Sequence, residues 1–205
     1  MSRRLILLRH GQTSWNAVQR IQGQLDSQLD EVGELQAKTV APVIAGIAPV
    51  CIHTSDLSRA RRTAEIVGEA CGLVPVTDAR LREFRLGERQ GLTHTEYAAQ
   101  APEEFARFAA GDWDGVPGAE TAAQVGERYA AALADLAATL KPGQTGVAVS
   151  HGAAIRTGLA AFLGWPVTLG ADLKGMGNCH RVELRERSAG GWQLSGYGLP
   201  PEQVG

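Results

Sequence analysis

Residues 5–11 read Leu-Ile-Leu-Leu-Arg-His-Gly, and residues 146–152 read Gly-Val-Ala-Val-Ser-His-Gly. Each stretch contains a short apolar run without polar alternation, which is typical of a strand buried on both faces of a sheet. Each also carries a histidine followed by a glycine at its end. Because ligands of open α/β sheets bind at the carboxyl ends of the strands, we expect His10 and His151 to share one site.

Strand and helix patterns alternate along the rest of the chain. This alternation predicts an α/β fold in three layers, α/β/α, around a mainly parallel sheet. Further strands are expected at 50–53 and 147–149. The segments 179–184 and 192–197 predict an antiparallel hairpin at the edge of the sheet. An apolar edge hairpin would permit a homodimer.

Helices are predicted where apolar residues recur at helical spacing between capping residues. The predicted bounds are from Asp30 to about Gly46, from Leu57 to Ala70 with Gly72 closing the helix, and from about Thr121, and an Ala-rich, helix-prone stretch follows His151-Gly152. Pro42 lacks an amide hydrogen, so it should kink the first of these helices or end it early.

The composition is that of one globular domain over residues 1–205, since 44% of the side chains are apolar. A net charge of −2 creates no field that would attract nucleic acid or an anionic membrane. The three cysteines, Cys51, Cys71 and Cys179, lack metal-ligand spacing, which predicts reduced thiols. The first residues contain only a four-residue apolar run, too short for a signal peptide, so a cytoplasmic protein is expected.

Four groups of residues occur along the chain: Arg9-His10-Gly11 with Thr13 and Asn16; Ser55-Asp56-Leu57 with Arg59-Ala60 and Thr63-Ala64; Leu81-Arg82-Glu83; and Ser150-His151-Gly152. Together they resemble the histidine phosphatase superfamily, also called the phosphoglycerate mutase-like family, over residues 5 to about 185. Segments such as Gln22-Gly23-Gln24 and Gly175-Met176-Gly177-Asn178 are similar to its actinobacterial glucosyl-3-phosphoglycerate phosphatase branch. The resemblance implies the phosphoglycerate mutase-like fold and hydrolysis of a small phosphate ester, such as a sugar or glycerate phosphate.

The resemblance also implies that the weakly periodic segment 86–118 is an insertion that roofs the active site. Long segments of this kind often carry specificity. Its aromatic residues, and Trp15 outside it, either line a pocket or form a small core of the lid. Two prolines and no apolar pattern predict a loose tail over 199–205.

His10 is the candidate nucleophile. An imidazole with an ordinary pKa of about 6.5 keeps a free lone pair near neutral pH and attacks phosphorus without a separate base. Water would then hydrolyse the phosphohistidine. An isolated strand histidine is more often structural, but the neighbouring Arg9 and Gly11 favour catalysis.

Arginines are the expected clamp for the phosphoryl oxygens, because planar guanidinium groups bind two oxygens each and stay protonated. Arg9 is one candidate. Spacing alone does not choose among Arg59, Arg61 and Arg62 for the second. The family pattern selects Arg59 and leaves the other two as surface charges.

The resemblance implies that Glu83 is the general acid and base, which protonates the leaving alkoxide and then deprotonates water. Glu88 in the same loop is the alternative. His151 is expected to supply a third positive or hydrogen-bonding group, and Gly152 a backbone N–H at a helix start.

Neutral groups are expected to complete the substrate-binding set. Asn16 and Gln22 would orient the phosphate, or else stabilise loops as amides. Glycine after each histidine should let the phosphate approach the backbone. The remaining members of the set are Gly11, Thr13 and Gly23.

No metal or cofactor is expected, because the sequence has no His-Glu-x-x-His, clustered Asp or Walker-type motif. A phosphoglycerate mutase would use the same His, Arg and Glu set. Such mutases typically have Glu-Arg-His-Tyr-Gly where this chain has Glu83-Phe84-Arg85-Leu86-Gly87. A non-catalytic phosphate-sensing module is the third alternative, and it is disfavoured because all five catalytic positions are filled.

Overall fold

A computed structural model describes residues 2–201, which form a six-stranded mixed sheet covered by helices. The strands are β1 (Arg4–Arg9), β2 (Cys51–Thr54), β3 (Val76–Thr77), β4 (Thr145–Ser150), β5 (Arg181–Glu186) and β6 (Trp192–Leu199). The helices are α1 (Ser14–Ala17), α2 (Glu31–Gly46), α3 (Ser58–Cys71), α4 (His94–Gln100), α5 (Pro102–Ala109), α6 (Ala122–Thr139), α7 (Gly152–Phe162) and α8 (Leu169–Asp172).

The strands lie in the order β3-β2-β4-β1-β5-β6. The first four in this order pair in parallel, and β5 and β6 add an antiparallel edge. The predicted mainly parallel sheet with an edge hairpin is therefore confirmed. Strand β3 was not predicted, because its two residues are exposed and too few to show a period.

Side chains of β1 alternate between two hydrophobic cores, one on each face of the sheet. Leu5 and Leu7 enter the core completed by α6 and α7, whereas Ile6 and Leu8 enter the core completed by α2 and α3. All four are 0% exposed, and burial of each stabilises the fold by about 1.5–3 kcal/mol. The α/β/α layering is thereby confirmed, and it places the carboxyl ends of β1 and β4 side by side.

The predicted helix ends are confirmed by their caps. Asp30 accepts a hydrogen bond from the Gly33 amide at 2.8 Å, Gly72 closes α3 with a φ of 66°, and Thr121 caps α6. Pro42 does not end α2 early, because the helix continues through it to Gly46. Pro42 is exposed, so the missing hydrogen bond faces solvent while burial of the opposite helix face holds the helix together.

Residues 86–118 contain α4 and α5, and most of their aromatic side chains pack on one another. The ring of Tyr97 lies 5.4 Å from Phe105 and 5.3 Å from Phe108, centroid to centroid. Tyr97, Phe105 and Phe108 thus form a local core, whereas Trp113 packs on Phe108 and also lines a cavity. Trp15 lies apart, with the Arg20 guanidinium 5.7 Å from its ring.

The end of the chain differs in part from the predicted tail over 199–205. Leu199 is the last residue of β6 and pairs with Arg181, because the antiparallel edge extends further than the apolar pattern indicated. Residues 202–205 lie outside the described part of the chain. Among residues 2–201, no helix is long and apolar enough to cross a membrane.

Candidate active site

Two neighbouring parallel strands bring the predicted histidines together. Arg9, the last residue of β1, lies opposite Ser150, the last residue of β4. His10 and His151 follow directly, and their ring centroids are 5.2 Å apart. The two side chains are 3% and 0% exposed. The structure thus forms one site from two positions distant in sequence.

His10 is held as a neutral imidazole. Its Nδ1 lies 2.6 Å from the Gly11 carbonyl oxygen, and because a carbonyl only accepts, Nδ1 carries the hydrogen. Nε2 therefore keeps its lone pair. Burial, and then the charges of Arg59 and Arg9, hold the pKa of His10 well below its usual range. This is the protonation state that a nucleophilic histidine requires at neutral pH.

Arg59 is the arginine that enters the site. It is 1% exposed and donates to the carbonyl of Gly23 at 2.7 Å and of Leu25 at 3.0 Å. Burial lowers the pKa of Arg59 to about 10, so it stays charged at neutral pH. Arg61 and Arg62 instead form ion pairs with Glu65 and Glu34 at the surface.

His151 is fixed at both ring nitrogens. Arg59 Nε donates to its Nδ1 at 3.2 Å, so the ring hydrogen is on Nε2, which lies 2.9 Å from Ser55 Oγ. Burial, followed by the charge of Arg59, holds the pKa of His151 well below its usual range. Of the two predicted roles, the geometry favours a neutral hydrogen-bonding group over a third positive charge.

Arg9 lies against the start of α7. A Cβ on Gly152 would come within 3.3 Å of Arg9 Nε, and Arg9 Nη1 donates to the Met176 carbonyl. Among the described residues, Arg9 Nε is buried without a hydrogen-bond partner. Because a buried donor without a partner is costly, this N–H is suited to a bound anion.

Glu83 reaches the same helix terminus. Its Oε1 accepts from the amides of Phe84 at 3.0 Å and Ala154 at 2.8 Å, and its Oε2 accepts from Ala153 at 3.2 Å. A carboxylate has about four lone-pair sites, so the remaining one is on Oε2. Glu88 is exposed in a single 3-10 turn and lacks such contacts.

The predicted neutral donors have their oxygens occupied. Asn16 Oδ1 accepts from Thr13 N and Oγ1, both at 3.1 Å, in the capping box of α1. Gln22 Oε1 accepts from Ser27 Oγ at 2.5 Å. Within residues 2–201 neither side-chain NH₂ group donates to a protein atom, so both can donate a hydrogen bond to a ligand.

Close packing explains why glycine occupies two of the predicted substrate-binding positions, Gly11 and Gly23, and the sequence did not reveal this. A Cβ on Gly11 would lie 2.5 Å from the Gly33 carbonyl oxygen in α2, and one on Gly23 would lie 2.1 Å from Gln90 Oε1. Gly23 also has a φ of 53°. Phosphate was predicted to lie against the glycine that follows each histidine. In the structure the Gly33 main chain lies against Gly11, and the Arg9 side chain lies against Gly152.

Several positioning residues were missed by the sequence analysis. Ser55 bonds His151, Asn178 Nδ2 donates to the His10 carbonyl at 3.0 Å, and Arg128 Nη2 donates to the Glu83 carbonyl at 3.0 Å. Ser55 and Asn178 belong to motifs quoted in the sequence analysis, so these motifs could have pointed to both residues. Arg128 lies on the amphipathic helix α6 and has no such signal.

Other histidines and cysteines are dispersed. His94 packs against Phe105 and Phe108 within residues 86–118, and His180 Nδ1 lies 3.0 Å from the Gly198 carbonyl oxygen. All three cysteines are free thiols. Across the described part of the chain, no three His, Cys, Asp or Glu side chains form a group that could hold a metal ion.

Comparison with known proteins identifies the relatives of this chain. The profile of the histidine phosphatase superfamily (branch 1) matches residues 5–199. The glucosyl-3-phosphoglycerate phosphatase of Mycobacterium tuberculosis is 42% identical over 192 residues, which cover 89% of this chain and 85% of that protein. A probable phosphoglycerate mutase of Yersinia enterocolitica is 38% identical over 200 residues, which cover 95% of this chain and 92% of that protein.

A solved structure shows the same fold. The mycobacterial glucosyl-3-phosphoglycerate phosphatase in complex with VO3 superimposes with a TM-score of 0.89 at 39% identity, covering 96% of this chain and 99% of that one. Buried histidines and arginines at the carboxyl edge of such a sheet define a class of enzymes that act on phosphate groups. The chain belongs to the histidine phosphatase superfamily, and it is a phosphatase with the phosphoglycerate mutase-like fold.

Proposed function

We propose that the protein hydrolyses a small phosphate monoester through a phosphohistidine formed on Nε2 of His10. The observation that carries this proposal is the buried, uncharged His10, whose Nδ1 is hydrogen-bonded to the Gly11 carbonyl oxygen and whose Nε2 keeps its lone pair. No other buried histidine in the described part combines a free ring nitrogen with two neighbouring arginines.

In the first step Nε2 attacks phosphorus, the N–P bond forms and the P–O ester bond breaks. Glu83 donates a proton to the leaving alkoxide. In the second step Glu83 takes a proton from water, whose oxygen attacks phosphorus. The N–P bond then breaks, releasing inorganic phosphate and neutral His10. Oε2 is the oxygen with a free lone-pair site, so we assign the proton to it.

Arg9 and Arg59 would balance the charge that spreads over the phosphoryl oxygens. The unpartnered Arg9 Nε–H and the Gly152 amide at the start of α7 supply donors where the anion would bind. Asn16 and Gln22 would add neutral donors through their amide nitrogens. Because these groups are positive or donate hydrogen bonds, the mechanism requires no metal.

The substrate we propose is glucosyl-3-phosphoglycerate or a related sugar or glycerate phosphate. The support is the similarity to proteins that carry this activity in their names. A phosphoglycerate mutase would return the phosphoryl group to a second hydroxyl instead of to water. The relative in Yersinia makes this the alternative to test.

Acid-labile phosphate trapping tests the proposal. We expect mass spectrometry of quenched enzyme to place phosphate on His10, and we expect His10→Ala to abolish both the adduct and the release of phosphate. His53→Ala is the matched control, since His53 is a strand histidine outside the site. Phosphate on His151, or mutase product without free phosphate, would overturn it.

Exhaustive chelation is the second arm of this test. Activity should survive it, because protein cations and donors fill the role of a metal. Loss of activity that added divalent cation restores would contradict the mechanism.

We also propose that the protein works in the cytoplasm as a homodimer without nucleic-acid or membrane partners. Three free thiols support a reducing compartment. The outer edge of β6 supports self-association at the hairpin. Trp165 supports it too, since it is 37% exposed and lines one surface pocket with Trp192 and Leu194 of β6. Light scattering during size-exclusion chromatography tests the oligomeric state, and a monomer at micromolar concentration would refute it.

A further inference from the structure

A cavity of about 230 Å³ lies next to the site but is separate from its histidines. It lies between the second turn of α7, the start of α6, the loop 110–114 and residues 167–171. Its lining includes Phe84, Asp112, Trp113, Asp114, Arg156 and Thr157.

The position of this cavity relative to Glu83 indicates which part of a substrate it would receive. Phe84, which lines the cavity, follows Glu83 directly and donates its amide to Glu83 Oε1 at 3.0 Å. A general acid must lie beside the oxygen of the leaving alkoxide. The leaving alcohol therefore lies on the Glu83 side of the phosphate. On that side Glu83 accepts from the Ala153 and Ala154 amides of α7, and Arg156 of the same helix lines the cavity.

Arg156 is the cationic residue of the cavity lining, which also contains the carboxylates of Asp112 and Asp114. It lies one turn beyond Gly152 on α7, so the two residues share a helix face, and helical side chains lean toward the N-terminus. Arg156 Nη1 donates to the Leu173 carbonyl at 3.0 Å, and Arg9 donates to the Met176 carbonyl in the same segment. The two arginines thus flank one short stretch of chain.

Arg156 has no carboxylate within 4.0 Å in the described part of the chain, unlike the many arginines that form ion pairs. Its guanidinium carbon lies 5.6 Å from the centroid of the Trp113 ring, so the arginine contacts this aromatic residue. Asp114 Oδ1 is occupied by the Ala122 amide at 2.6 Å, and Asp112 is exposed. The arginine therefore remains available to an anionic ligand.

We propose that this cavity binds the leaving alcohol and that Arg156 pairs with a carboxylate on it, so that the enzyme selects phosphate esters of hydroxy acids. This inference rests on the proposed phosphatase function and deepens it. Arg156 is then a specificity-determining residue. The exposed carboxylate of Asp112 is suited to the hydroxyls of a sugar attached to such an acid.

A matched pair of esters tests the inference. 3-Phosphoglycerate and glycerol 3-phosphate differ only in a carboxylate against a hydroxymethyl group. We expect wild-type kcat/KM to favour the acid by about 10- to 100-fold, the range for a hydrogen bond to a charged group. Arg156→Gln should remove this preference by lowering kcat/KM for the acid alone.

Two further variants keep the test decisive. Arg156→Lys should recover part of the preference, because it keeps the charge but not the planar fork. Arg185→Gln is the matched control, an exposed arginine on β5 far from the cavity, and it should leave both esters unchanged.

The failure of this inference is distinguishable from the failure of the proposed function. Equal losses for both esters in Arg156→Gln, or no preference in the wild type, would overturn the inference while leaving the phosphohistidine chemistry intact. If wild-type enzyme formed no adduct on His10 with any ester, the proposed function would fail and the inference with it.

Discussion

Arg59 Nε lies 3.2 Å from Nδ1 of His151 and donates its hydrogen to that nitrogen. A cation and a neutral ring are thus joined by a hydrogen bond in the interior of the protein. Since Nδ1 accepts, the hydrogen of the ring is on Nε2 and faces Ser55 Oγ. The hydrogen bonds from Arg59 to His151 and from His151 to Ser55 fix the orientation of the buried arginine before any ligand arrives, which is the preorganisation that electrostatic catalysis requires.

Ser55→Ala should weaken catalysis without unfolding the protein. It removes the partner of His151 Nε2, and the loss of one hydrogen bond corresponds to about a 3- to 10-fold fall in kcat/KM. Ser195→Ala is the control, because Ser195 is exposed on β6. An unchanged kcat/KM in Ser55→Ala would show that His151 needs no partner at Nε2.

Glu83→Gln should slow phosphorylation of His10 by about 10² to 10⁴ for alkyl phosphates, the usual range for a positioned acid. A nitrophenolate leaving group needs less protonation, so its phosphorylation should slow less. Single-turnover kinetics are required, because hydrolysis of the adduct also uses Glu83 and would mask the difference. Glu88→Gln is the control and should behave like the wild type; equal losses for both ester types would assign Glu83 a role in positioning only.

Gly11→Ala should destabilise the fold by about 1–3 kcal/mol, since the new Cβ would lie 2.5 Å from the Gly33 carbonyl oxygen and main chain must move to relieve the clash. Gly46→Ala in the same protein has no atom within 4 Å of its Cβ. That control should be neutral or slightly stabilising. Urea denaturation measures the free energy of unfolding of both variants, and equal values for the two would refute the packing role of Gly11.

Stability should fall as the pH drops below about 6.5. The pKa of His10 and of His151 is held well below its usual range in the folded protein, so the unfolded chain binds more protons below that pH. Each histidine then contributes a slope of at most about 1.4 kcal/mol per pH unit. Urea denaturation at pH 7 and pH 5.5 measures how the free energy of unfolding changes with pH. His10→Asn should show a smaller change than the wild type, and an identical change in both proteins would contradict the lowered pKa of His10.

Local patterns determined much of the fold. Apolar runs without polar alternation mark β1 and β4, and the capping residues Asp30, Gly72 and Thr121 set helix ends, because these signals depend on neighbours within a few residues. The two His-Gly turns and the motif containing Arg59 identified the candidate catalytic residues, since each motif is contiguous in sequence. The early end predicted at Pro42 did not occur, because the cost of a proline depends on which face of the helix it occupies.

Only the tertiary structure decided how these residues act on one another. The contacts concerned join segments far apart in the chain. Arg59 sets the tautomer of His151, Glu83 accepts hydrogen bonds from amides of α7, and Arg156 lies against Trp113. Burial and through-space charge set protonation states, and neither has a period or spacing that the sequence displays. The sequence by itself therefore determined which groups are present and in which elements, and three-dimensional packing decided their partners and charges.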